Sequence, residues 1–115
     1  MNTYYDLWLS TLEKEMTALG AKPFRRTFWG GVEEGYMLTA SDGPVKLAVL
    51  PPEKVQKGHI MARSMRVVLH YPAGRRIRPL SLCYGEPRCS DDARGAVLNL
   101  LPDVQRALEP QPVLS

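Results

Sequence analysis

Met65-Arg66-Val67-Val68-Leu69-His70-Tyr71-Pro72-Ala73-Gly74-Arg75-Arg76-Ile77-Arg78-Pro79-Leu80-Ser81-Leu82 alternates in polarity on both sides of a turn-forming cluster. A strand sends successive side chains to opposite faces, so Met65, Val67, Leu69 and Tyr71 share a core-facing side and Arg66, Val68 and His70 the other. The stretch reads as an antiparallel hairpin. A Pro72-Ala73-Gly74 loop with Gly74 left-handed sets Tyr71 opposite Arg75, His70 opposite Arg76, Leu69 opposite Ile77 and Val68 opposite Arg78. A bulge at Pro79 then returns Leu80 and Leu82 opposite Val67 and Met65. The outward face so built collects Arg66, His70, Arg76 and Arg78, with Arg75 near the tip.

Upstream of the hairpin, Val45, Leu47 and Val49 alternate with Lys46 and Ala48 in a strand that Pro51 and Pro52 are expected to end, since neither donates a ladder hydrogen bond. The run Glu53 to Ser64 has no clear period and reads as a long loop or an irregular turn of helix. Before the Ser41-Asp42-Gly43-Pro44 turn, strands are expected from Phe24 to Trp29 and from about Glu34 to Ala40, separated by Gly30 and Gly31. At the N-terminus, Tyr5, Trp8, Leu9, Leu12, Met16 and Leu19 recur at helical spacing. Asn2 or Thr3 can cap that helix, and Gly20 suits the left-handed position after it. Downstream, Ser90 reads as an N-cap, and Asp91 and Asp92 complement the helix dipole. The last apolar stripe, Ala93, Val97, Leu100, Leu101, Val104 and Leu108, continues through Pro102, giving a kinked helix or two short ones.

These elements define an α+β fold of two layers. A mainly antiparallel sheet of four or five strands has an N-terminal and a C-terminal helix on one face. At 115 residues the chain suits one domain, taken as 1–108, with 109–115 a flexible C-terminal tail holding Pro110 and Pro112. A hydrophobic content of 44% with no apolar run near the ~20 residues of a membrane-spanning helix points away from the membrane. The start Met1-Asn2-Thr3-Tyr4-Tyr5-Asp6 lacks a basic leader and an apolar stretch, so a cytoplasmic location is expected.

Charge is unevenly distributed along the chain. Residues 54–88 hold eight of the fifteen Lys and Arg (Lys54, Lys57, Arg63, Arg66, Arg75, Arg76, Arg78, Arg88) and one acidic residue, Glu86, a local balance of +7. The other eighty residues sum to −4. Such polarity marks a contact surface for something acidic.

Motifs for chemistry are weak beside it. His59 and His70 and the Cys83-x5-Cys89 pair lack zinc-ligand spacing, so no metal site is expected. Gly30-Gly31 lacks the strand-loop-helix setting of a phosphate loop, and no cofactor is implied. Cys89, beside Arg88 at a helix start, is the best nucleophile, but Asp91 and Asp92 offset the positive helix end and nothing places a histidine base there. A thiol enzyme using Cys89 ranks third among the readings, and no catalytic residue is assigned.

The leading reading is a small non-catalytic binding protein, an adaptor, regulator or inhibitor. It engages an acidic patch on a protein through Arg66, His70, Arg75, Arg76 and Arg78, with Phe28 and Trp29 as aromatic contacts. The alternative is a nucleic-acid-binding protein, DNA or RNA, whose phosphates meet the same arginines while Phe24, Phe28 or Trp29 stack on bases. The order helix, strands, helix is similar to that of double-stranded RNA-binding domains, in order alone. Those domains carry basic residues at the start of the last helix, where this chain has Asp91 and Asp92. An exposed sheet edge also offers a route to a homodimer.

Overall fold

A computed structural model describes the backbone of residues 3–57 and 60–109, and the side chains of 4–50 and 65–109. Its elements run α1 (Thr3–Ala18), β1 (Lys22–Phe28), β2 (Gly31–Ala40), β3 (Gly43–Lys57), β4 (Ile60–His70), a 3-10 turn (Ala73–Arg75), β5 (Leu80–Gly85) and α2 (Ser90–Leu108). The five strands form one antiparallel meander in chain order. This is the expected α+β fold with two helices at its termini.

The helical stripes decide which sheet face is covered. Trp8, Leu12 and Met16 from α1 and Ala93, Ala96, Val97, Leu100, Val104 and Ala107 from α2 are buried in one cluster with Leu38, Ala40, Val45, Leu47, Met65, Val67 and Leu69 of the sheet. β2, β3 and β4 each contribute residues of a single parity to that cluster, so both helices lie on one face. α1 ends as Gly20 allows: it takes a left-handed φ of 79°, with Gly20 N–H donating to the Thr17 carbonyl and Ala21 N–H to that of Met16. This is the paired bonding of a Schellman cap. α2 is one helix through Pro102, an exposed position. Its N-cap is Cys89 rather than Ser90, and Asp92 accepts a hydrogen bond from the Arg88 backbone N–H at 3.1 Å. No helix among the described residues is long and apolar enough to cross a membrane.

Two further sequence expectations fail for identifiable reasons. Pro51 and Pro52 do not end β3, because Leu50 pairs with Arg66 and Glu53 already pairs with Ser64. The two prolines thus stand opposite one residue, Met65, in a bulge where an absent N–H costs the ladder little. Most of the stretch read as a loop from Glu53 to Ser64 is therefore strand, with residues 58 and 59 outside the described backbone.

The second correction concerns the decisive hairpin. Leu69 pairs with Leu80, Val67 with Leu82 and Met65 with Tyr84. Residues 71–79 form a wide loop, and the left-handed residue in it is Arg76, at φ 54° and ψ 36°, not Gly74. Leu80 and Leu82 reach the core face by this longer loop, without a Pro79 bulge. A strand register is fixed by which apolar residues must be buried, and the loop adjusts to it.

Among the described glycines, Gly35 lies closest to a neighbouring backbone. A Cβ built on it would lie 1.9 Å from the Leu47 carbonyl oxygen of β3. Gly35→Ala is expected to lower stability by roughly 1–3 kcal/mol through overpacking, read as an earlier urea midpoint. Gly74→Ala, with open space around it, should leave the midpoint nearly unchanged.

Candidate interaction face

The opposite sheet face has no covering layer among the described residues. Three cross-strand rows make it up. At one end Lys22, Met37, Lys46 and His70 lie side by side on β1 to β4. The central row is Phe24, Gly35, Ala48, Val68 and Ser81, spanning all five strands. The third joins Arg26 and Glu33 on β1 and β2 to Leu50, Arg66 and Cys83 on β3 to β5.

The chemistry of the rows differs. Phe24, Met37, Leu50 and Val68 are half-buried, and Ala48 is only 3% exposed although it faces outward. They form an apolar centre. Around it stand Lys22, Arg26, Lys46, Arg66 and His70 with one carboxylate, Glu33. The Lys46 ammonium donates to Glu33 Oε1 at 3.0 Å and lies 5.9 Å from the centre of the Phe24 ring. Arg26 is placed similarly over Phe28, at 5.8 Å.

These charges set protonation on the face. The Lys46 hydrogen bond is the main cause holding Glu33 below its ordinary range, with the charges of Lys46, Arg26 and His70 adding to it against some burial. Burial, and then the Lys46 charge, hold His70 below its ordinary range, outweighing the pull of Glu33. The neutral imidazole of His70 is thereby favoured over the charged form.

The residues predicted from sequence are not all brought together. Arg66 and His70 lie on the open face, two rows apart. Arg75 does not. Its side chain, 3% exposed, is folded against Asp42 of the β2–β3 turn, with Nε donating at 2.7 Å and Nη2 at 2.8 Å. Arg76 and Arg78 are exposed in the 71–79 loop and not on a strand face. Phe28 ends β1 on the open side and is 48% exposed, and Trp29 is fully exposed in the adjoining turn. Lys22, Arg26 and Lys46 belong to the face and were absent from the predicted set. Alternation of Phe24, Arg26 and Phe28, and of Lys46, Ala48 and Leu50, is the signal that identifies them.

Length separates the rest of the basic segment. β4 has 11 residues, about 35 Å at ~3.3 Å per residue. That is several times the ~8 Å screening length at physiological salt. Arg66 in mid-strand and Arg76 and Arg78 in the loop beyond the end of β4 therefore act as separate groups, and the described cations of the +7 segment are not one patch in space.

The thiols fall elsewhere again. Cys83 is exposed on β5 and Cys89 is exposed at the start of α2, both free. No cluster of three or more His, Cys, Asp or Glu fit to hold a metal occurs among the described residues.

Arg75 hydrogen-bonding is the first cause that holds the Asp42 carboxyl below its ordinary range. A carboxylate with a depressed folded pKa stabilises fully above its unfolded pKa of about 3.9, and that contribution is lost as pH falls through the lower folded value. Arg75 Nε–H is therefore expected to move to its free-arginine NMR shift below that range. Asp42→Asn should produce the same change at neutral pH and speed tryptic cleavage in the 71–79 loop.

No protein-family model, curated protein or solved structure matches the chain.

Proposed function

We propose that the protein is a non-catalytic binding protein, an adaptor, regulator or inhibitor, whose open sheet face engages an acidic patch on a protein partner. One observation carries the reading: an uncovered face with an apolar centre of Phe24, Met37, Ala48, Leu50 and Val68 inside a largely cationic rim. Protein interfaces have this anatomy, an apolar core that excludes water and a polar border that sets orientation. Long-range attraction by Lys22, Arg26, Lys46 and Arg66 would steer an acidic surface into register, and the guanidinium groups can then pair bidentately with carboxylates. As partner carboxylates approach, His70 gains a reason to take up a proton.

The same cations favour a protein over a nucleic acid. Lys46 and Arg26 lie over the Phe24 and Phe28 rings, which covers ring faces on which bases would stack. Arg76 and Arg78, the other phosphate candidates, stand in the loop beyond His70.

The test is a pull-down from a lysate, with and without nuclease, comparing wild type, Lys46→Glu/Arg66→Glu and Arg76→Glu/Arg78→Glu. Loss of the captured protein by the face pair, about tenfold or more in affinity, with a smaller loss for the loop pair and no effect of nuclease, is the expected result. A partner list unchanged in the face variant overturns the reading. Capture abolished by nuclease transfers the face to nucleic acid.

A further inference from the structure

The sheet has two outer strands, and they are built differently. β1 carries Lys22, Pro23, Arg25 and Arg26 within its seven residues, the charges and proline that keep an edge from pairing with another chain. β5 is Leu80-Ser81-Leu82-Cys83-Tyr84-Gly85, with no charge and no proline. On its outer side no strand follows among the described residues. Its pairing with β4 is continuous from Ser64–Gly85 to Leu69–Leu80, with no bulge to turn the edge away.

From this asymmetry we infer that β5 is a homodimer edge, on which a second copy of the chain adds its own β5 antiparallel about a two-fold axis near Leu82 and Cys83. The strand suits itself as a partner because its two ends are oppositely charged. Arg76 and Arg78 precede it. Glu86 follows it and, with Tyr84, Gly85, Asp91 and Asp92, lines a groove between β5 and the start of α2. Antiparallel pairing sets the basic end of each copy beside the acidic end of the other, twice by symmetry. Among the described side chains at that end, Glu86, Asp91 and Asp92 stand beside one cation, Arg88, whose backbone N–H donates to Asp92.

The side chains fit the same geometry. Leu80, Leu82 and Tyr84 are half-buried on the helix side and would gain cover from their symmetry mates. Ser81, Cys83 and Gly85 are exposed on the open side, where small residues let two backbones approach. A two-fold axis at Leu82 or Cys83 brings the two Cys83 Cβ atoms within about 5–8 Å. The two open faces then join as one continuous surface, doubling the binding face without using it in the contact.

The chain has two cysteines, so Cys89→Ser leaves Cys83 as the only thiol. Sedimentation velocity of that chain over a concentration series, with crosslinking by a short bis-maleimide, reads the contact directly. A concentration-dependent dimer crosslinked through Cys83 is the expected result. Cys83→Lys should raise its dissociation constant about tenfold or more by placing like charges near the axis. Ser81→Lys tests the same edge should the first variant fold poorly, and circular dichroism separates loss of dimer from loss of fold. A chain that stays monomeric throughout overturns the inference. So does a dimer that Cys83 does not crosslink and that neither lysine weakens.

Discussion

Two helices cannot cover both faces of a five-stranded sheet, and this chain commits both to one. The period of two along β3 and β4 makes the commitment possible: Val45, Leu47, Met65, Val67 and Leu69 are buried beneath α1 and α2, while Lys46, Arg66 and His70 are turned away. A one-residue slip in either strand would exchange the two sets, burying cations without partners and exposing the core. Register is consequently the quantity on which both the stability and the character of the open face depend. The Pro51–Pro52 bulge shows how it is kept. Parity in β3 is reset opposite Met65 where two residues stand against one, and the ladder resumes at Glu53 and Ser64.

The helical layer carries its own compromise. Trp8 is fully buried and stacks with Tyr5 at 5.8 Å between ring centres and 24° between planes, yet its indole Nε1 is a buried donor without a hydrogen-bond partner. Leaving such a group unsatisfied costs on the order of 1–3 kcal/mol. Burying the large ring contributes a comparable or greater amount in the opposite direction. The position is therefore one where size wins over polarity. Tyr5, half-buried at the margin of the same cluster, has its pKa raised chiefly by burial and secondarily by Glu34 and Asp6.

Much of this architecture was legible because it depends on local periodicity. The α1 stripe, the Gly20 cap, the α2 stripe and the inward parity of Met65, Val67 and Leu69 follow from spacing and from side-chain chemistry alone. What was not legible depends on distant residues. Pro72-Ala73-Gly74 has the composition of a tight turn, yet residues 71–79 form a wide loop. Arg75 instead pairs with Asp42, which lies 33 positions earlier in the chain, and the tie holds a wide loop beside the β2–β3 turn. A turn signal measures what a segment can adopt in isolation, whereas here the buried register of β4 and β5 sets the loop's length and the bidentate pair with Asp42 ties it down. Gly35 is similar: its necessity comes from the Leu47 carbonyl across the sheet, which no pattern within β2 reveals.

The site was half legible for the same reason. Charge density along a sequence becomes charge density in space only where the segment folds back on itself within a screening length. Residues 60–85 instead run out along β4 and return through β5, so Arg66 is left in the middle of the sheet while Arg76 and Arg78 lie beyond its end. The cations that do join Arg66 come from outside that segment: Lys22 and Arg26 from β1 and Lys46 from β3. Antiparallel pairing assembles rows from residues far apart in the chain. A basic face is therefore built by register and parity acting together, and Lys46, with Glu33 on one side and the Phe24 ring near its ammonium, is the residue in which charge and apolar surface meet.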